Sequence, residues 1–309
     1  MTTPPGPPTP PAGEHPPAAE VCPRHPDRVT GLRCTRCGRP ACPECLREAS
    51  VGYQCVDCVA DGRRDVRRAV TVAGAEVRQR PLVVPVLILL NVVVFAWTAV
   101  QAGSIADNSA SPLFSRWALW PPAVAGDQWW RVVTSGFLHI GPVHLVLNMI
   151  ALWVLGRDLE IILGRLRFLA VYLVSLLGGS AAVFLFGDTR VPVAGASGAV
   201  FGLMGGIAVA VIRLRLDPRP ALTVIGLNVV LSIVVPGVSL LGHLGGLVVG
   251  AVASAGMVYA PARRRGLVQS GVLVGLLVAL AVVFVLRDAS FGGMECFEVD
   301  GEPYCVHTD

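Results

Sequence analysis

The apolar positions of this chain are sparse as far as residue 81 and then gather into seven near-continuous segments. These lie at about Leu82–Val100, His139–Leu155, Phe168–Phe186, Ala196–Ile212, Ala221–Val235, Ser239–Tyr259 and Leu267–Leu286. An apolar run of about 20 residues matches the hydrocarbon thickness of a bilayer when coiled as a helix, and a helix satisfies its own backbone there. The pattern therefore predicts an all-α polytopic membrane protein. The fourth and fifth segments are short for a full crossing, so one of them is expected to tilt or to begin within the membrane.

Composition narrows the class. The chain is 53% hydrophobic and 15% charged, with a mean hydropathy of +0.63, whereas soluble domains average about 25% charged residues. Its 34 glycines suit the close helix contacts made in lipid. All 25 basic residues are arginine and the net charge is +4. They are spread between spans rather than clustered on one face, which argues against a nucleic-acid partner.

Their placement encodes orientation. Alternate gaps hold Arg157, Arg165 and Arg167, then Arg213, Arg215 and Arg219, then Arg263, Arg264 and Arg265. The other gaps hold Arg116 and Arg131 in a long loop, then Arg190, then none, with Arg287 in the tail. Arginine-rich gaps stay in the cytoplasm. The expectation is a multi-pass protein of the cell membrane with its N-terminus inside and its C-terminus outside.

Residues 1–20 are rich in Pro, Thr, Ala and Gly and are expected to be a disordered tail; they lack the basic start and apolar run of a signal peptide. Residues 21–60 carry Cys22-x2-His25, Cys34-x2-Cys37, Cys42-x2-Cys45 and Cys55-x2-Cys58. Four such pairs make eight ligands, enough for two tetrahedral, structural Zn2+ shells. A disulfide scaffold would instead need an oxidising compartment. The module resembles a B-box-like zinc finger, although its last pair is Cys-Cys. By analogy with such cross-braced modules, the first and third pairs would share one ion and the second and fourth the other. A basic linker, 61–81, follows.

Polar side chains inside spans are costly and mark function. His144 and Asn148 are four apart, on one face near the outer end of the second segment. Ser197, within Gly195-Ala196-Ser197-Gly198, lies at the outer end of the fourth, and His243, within Gly242-His243-Leu244-Gly245-Gly246, near that of the sixth. A topology derived from arginine alone thus brings these groups to one membrane depth. A serine beside a histidine suggests nucleophile and general base. A helix beginning at Ser197 would direct free N–H groups at a developing oxyanion, and Asn148 and His144 could add donors. The acidic residues Asp158 and Glu160 fall at the opposite membrane side, and Asp127 and Asp188 in outer loops, so a dyad is expected rather than a triad. Phe201 shares a helical face with Ser197 and could pack beneath the imidazole.

Together, the Gly195–Gly198 run, His144-x3-Asn148 and His243-x2-Gly246-x3-Gly250 resemble the signature of rhomboid intramembrane serine proteases. Trp130-Arg131, His139 and Glu160 also sit where that family places a first-loop motif, an additional histidine and a structural acidic residue. The resemblance covers about residues 82–259. It implies a six-helix core at 82–260 that cleaves transmembrane protein substrates, with Ser197 as nucleophile, His243 as base, and His144 and Asn148 lining the oxyanion site. Gly195, Gly198, Phe201 and Gly246 support it, and catalysis calls for no cofactor. The seventh helix, 261–286, makes a six-plus-one form, followed by an extracellular tail at 287–309. There Cys296 and Cys305 flank Asp300-Gly301, a strong tight-turn pair, and are expected to form a disulfide.

Two other classes compete. A rhomboid-like protein can bind membrane clients without cleaving them, but such a protein would usually lack the serine or the histidine. A transporter would show paired broken helices or repeats, and none is visible. Whichever holds, the zinc module adds a binding function, such as recruiting a cytoplasmic partner.

Overall fold

The computed structural model describes residues 20–65, 69–77, 80–299 and 302–307. Residues 1–19 of the expected tail at 1–20, Arg67, Arg68 and Arg78 of the linker, and the Asp300–Gly301 turn lie outside the described residues. The chain divides into two compact units at the Arg68–Ala69 junction.

The first unit has too few apolar residues for a core, and its buried centre is made largely of its cysteines. Strands β1 (Val21–Cys22) and β2 (His25–Val29) pair antiparallel, as do β3 (Leu46–Glu48) and β4 (Tyr53–Cys55), and helix α1 (Val56–Asp65) follows. The Glu20 carbonyl accepts from the Thr30 N–H, which closes the open end of the β1–β2 pair. α1 runs five residues into the expected linker.

In the second unit each apolar segment becomes a helix. α2 (Val83–Ala102) is followed by three short helices in the long loop before the next apolar segment, α3 (Pro112–Trp117), α4 (Pro121–Ala125) and α5 (Arg131–Thr134). Then come α6 (Gly141–Leu163), α7 (Arg165–Phe186), α8 (Ser197–Arg213), α9 (Arg219–Val234), α10 (Leu240–Val258) and α11 (Arg265–Ala289). α2, α7, α10 and the last helix are long and apolar enough to cross a membrane, and α6 joins them when counted with the short helices bent 92° from it. α8 and α9 are shorter apolar helices. Apolar side chains such as Val86, Leu89, Val146, Leu227, Val248 and Val282 stay exposed, a distribution that suits a lipid surround.

α8 lies at the centre, against α7 and α10. Their backbones approach where glycines face each other. A Cβ at Gly246 of α10 would run into the Gly198 carbonyl of α8, and one at Gly179 of α7 would lie 2.7 Å from the Gly242 carbonyl. This contact sets the register between the start of α8 and the start of α10. At the opposite end, Glu160 accepts the N–H groups of Leu82, Val83 and Val84 at 2.7, 3.0 and 2.9 Å. It thereby caps the otherwise unpaired N-terminus of α2. The C-terminal strands β5 (Met294–Val299) and β6 (Glu302–His307) pair antiparallel, with Cys296 opposite Cys305 in a disulfide.

Candidate active site

A cavity of about 650 Å³ opens among α6, α7, α8, α9 and α10. His144, Asn148, Ser197 and His243 all line it, although they come from three helices and span a hundred residues of sequence. Gly195, Gly198 and Phe201 line it too, whereas Gly246 lies beneath, in the α8–α10 contact.

Ser197 is the first residue of α8. The backbone enters it through Gly195 at φ 141°, a region that side-chain-bearing residues rarely adopt. A Cβ there would also lie 2.9 Å from Cε1 and 3.1 Å from Nε2 of His144, and 3.5 Å from the Ser197 Oγ. The missing side chain is therefore what lets the His144 ring edge and the serine oxygen meet at one point. The first N–H groups of α8 have no acceptor one turn back, so the same point faces backbone donors.

The His144 tautomer follows from its partners. The Ile140 N–H donates to His144 Nδ1 at 3.2 Å, so the neutral ring carries its proton on Nε2, where it can donate towards Gly195 and Ser197. Asn148 Nδ2 donates to the His144 carbonyl at 3.0 Å, which aligns its amide along the same wall. His139 is fully buried beside it, with ring centroids 5.2 Å apart.

His243 is held on two sides. The Phe201 ring stacks on the imidazole with centroids 4.0 Å apart and planes at 14°, so Phe201 occupies the place its helical position suggested. The Ser232 Oγ of α9 lies 2.6 Å from His243 Nδ1. Among the residues lining the cavity there is no carboxylate, and neither Asp127 nor Asp188 reaches it. Further out, Arg131 is buried and donates to the carbonyls of Ser115 and Ala118 at 2.6 and 2.8 Å, tying α5 to the loop around α3.

Residues 126–260 match the family model described as Rhomboid domain. This chain carries a rhomboid domain. It is 33% identical over 216 residues to Rhomboid protease GluP of Bacillus subtilis, covering 67% of this chain and 40% of that protein. To Rhomboid protease AarA of Providencia stuartii it is 27% identical over 210 residues, covering 58% of this chain and 73% of the relative. To RHOMBOID-like protein 4 of Arabidopsis thaliana it is 37% identical over 133 residues, covering 41% of this chain and 34% of the relative. The chain thus spans about two fifths of GluP's length. The match contains α6 to α10 and every residue of the site, and with the apolar helices it marks a multi-pass membrane protein.

In the first unit, Cys22, His25, Cys42 and Cys45 gather at one point and Cys34, Cys37, Cys55 and Cys58 at another, the ligand atoms of each set within 4.8 Å of one another. This is the alternate pairing that the cross-brace analogy suggested. His25 Nδ1 lies 3.3 and 3.4 Å from the sulfurs of Cys42 and Cys45, and the Cys37 and Cys55 sulfurs are 3.8 Å apart. These are the edge lengths of a tetrahedron with bonds of about 2.0–2.3 Å to a central ion.

Charge leads to the same reading. Backbone N–H groups, that of Cys42 foremost, hold the Cys22 thiol down at about 6. Burial raises Cys34, but N–H donors from Cys55, Cys37 and Arg36 outweigh it and bring that thiol to about 6 as well. Cys45 is pushed up to about 11 by burial and neighbouring sulfurs, and Cys58 to about 12, first by its bond with Cys37. Three sulfurs beside His25 in one set, and four in the other, cannot all be thiolates so close together without a cation between them, so both donor sets fit a metal ion.

The contact missed in the sequence is Ser232. Its signal was present: Asn228 and Ser232 are a polar pair four apart in an apolar segment, as His144 and Asn148 are.

Proposed function

We propose that the chain is an intramembrane serine endopeptidase that cleaves transmembrane protein substrates near the outer membrane face. The observation that carries this reading is the opening of Ser197 and His243 onto one cavity, with Phe201 stacked on the imidazole. Ser197 Oγ attacks the scissile carbonyl carbon while His243 takes the hydroxyl proton. The carbonyl oxygen, now an anion, is met by the N–H groups that begin α8, by His144 Nε2–H and by the Asn148 amide. His243 returns the proton to the leaving amine, an acyl-enzyme forms, and water activated by the same imidazole releases the second fragment. Nothing in the reaction calls on a metal.

The same reading takes the two Cys/His sets as structural Zn2+ sites in a module that recruits a cytoplasmic partner. It takes α2 and α6 to α11 as seven spans, six forming the protease core at 82–260. Arginine placement sets the N-terminus inside and the tail outside, where the Cys296–Cys305 disulfide persists.

A fluorophosphonate probe tests the nucleophile directly. Detergent-solubilised protein is expected to be labelled at Ser197, and labelling should vanish in Ser197→Ala and fall strongly in His243→Ala. Undiminished labelling of Ser197→Ala would remove the assignment and leave the non-cleaving, client-binding alternative.

A further inference from the structure

α9 is the most weakly anchored helix around the cavity. Of its residues from Arg219 to Val234, only Ser232 is buried, while Leu222, Leu227, Val230, Ile233 and Val234 are exposed apolar side chains. That one buried group is polar and touches the candidate base. Its oxygen is 2.7 Å from the Asn228 backbone carbonyl and 2.6 Å from His243 Nδ1. A hydroxyl has one proton, and a carbonyl can only accept. The proton of Ser232 therefore goes to the Asn228 carbonyl, and Ser232 Oγ must accept from His243 Nδ1–H. With its proton on Nδ1, the neutral imidazole leaves Nε2 free to take the Ser197 proton.

We infer that Ser232 is a positioning residue that holds His243 in the tautomer whose Nε2 is basic. It does with a relayed hydroxyl what a buried carboxylate does in a triad. The inference rests on the protease reading above. Among the residues lining the cavity, the only other titratable side chain is His144, on α6; those contributed by α7, α8 and α9 carry no charge. No other group in the cavity therefore supplies the carboxylate role. The stacked Phe201 fixes the plane of the ring, but an aromatic face cannot select which nitrogen carries the proton. Ser232 can, because its oxygen lies at one nitrogen and its own proton is committed elsewhere.

The test compares Ser232→Thr with Ser232→Val in proteoliposomes, beside the wild type and Ser197→Ala. Threonine and valine have nearly the same shape, so a packing defect affects both alike, and only threonine keeps the hydroxyl. Expected are a kcat for Ser232→Thr within a few-fold of wild type and a kcat for Ser232→Val at least about tenfold lower, with KM unchanged. The fall should stay below the roughly 10⁴-fold loss seen when a triad imidazole sits in the wrong tautomer, since the free ring still samples the right one. If Ser232→Thr and Ser232→Val turn over equally while Ser197→Ala is inactive, the inference fails and the protease reading stands. If the wild type cleaves no faster than Ser197→Ala, both fall.

Discussion

At the scale of single residues, the site depends on which proton each polar atom holds. The N–H of Ile140 assigns the His144 proton to Nε2, and Ser232 assigns that of His243 to Nδ1. One ring thus becomes a donor and the other an acceptor. Ser197, His144, Asn148 and His243 stand out in the sequence because each is a polar residue at one end of an apolar run. Ser232 shows the same kind of signal through its spacing from Asn228, but that spacing does not set the rotation of α9 about its axis, so it does not say that Ser232 faces His243. Asn148 is one of several groups proposed to donate to the oxyanion, so Asn148→Ala should slow turnover without abolishing it. Loss of one such donor costs about 10²–10³ in rate, and steady-state cleavage of a transmembrane reporter reads it. Full activity after His144→Ala and Asn148→Ala together would show that this face only packs helices.

At the scale of elements, the seven apolar segments coincide with helices α2 and α6 to α11 because an apolar run in lipid has no other local solution. Most of their observed ends differ by one to three residues, but α6 continues eight residues past its expected end, through charged Arg157, Asp158 and Glu160 to Leu163. There Glu160 finds its partners on α2 rather than in solvent. The short helices α3 to α5 were not legible: at four to six residues, they are too short to show a period. Nor could spacing reveal which glycines lie in contact. Gly246 packs on the Gly198 carbonyl, whereas Gly226 of α9 has nothing within 4 Å of where its Cβ would be. Gly246→Val should therefore lower thermal stability in detergent by about 1–3 kcal/mol, the usual cost of overpacking, and should lower cleavage by displacing Ser197 from His243. Gly226→Ala should be close to neutral in both. Equal behaviour of the two variants would show that the α8–α10 contact does not set the site.

At the scale of the whole molecule, two units are stabilised by different means. The membrane unit packs helices through small residues, and the N-terminal unit gathers eight side chains able to hold metal ions where an apolar core would otherwise be. The ligand pairs were readable from their two-residue gaps, and the alternate sharing only by analogy, because spacing does not say which pairs fold together. Metal analysis of the purified chain under reducing conditions should find two zinc ions. A chelator should unfold the module without stopping cleavage in detergent, since every residue of the site comes from the helices. A chain without zinc that keeps its N-terminal fold would refute that reading. The orientation drawn from arginine has its own check in intact cells. An impermeant maleimide should reach Cys296 and Cys305 only after an external reductant, and labelling only after lysis would place the tail inside. The most direct measurement is cleavage of a transmembrane substrate in proteoliposomes by wild type, Ser197→Ala and His243→Ala, with all three shown to be folded. Expected is cleavage by the wild type alone; cleavage by Ser197→Ala at the wild-type rate would contradict the Ser197–His243 site.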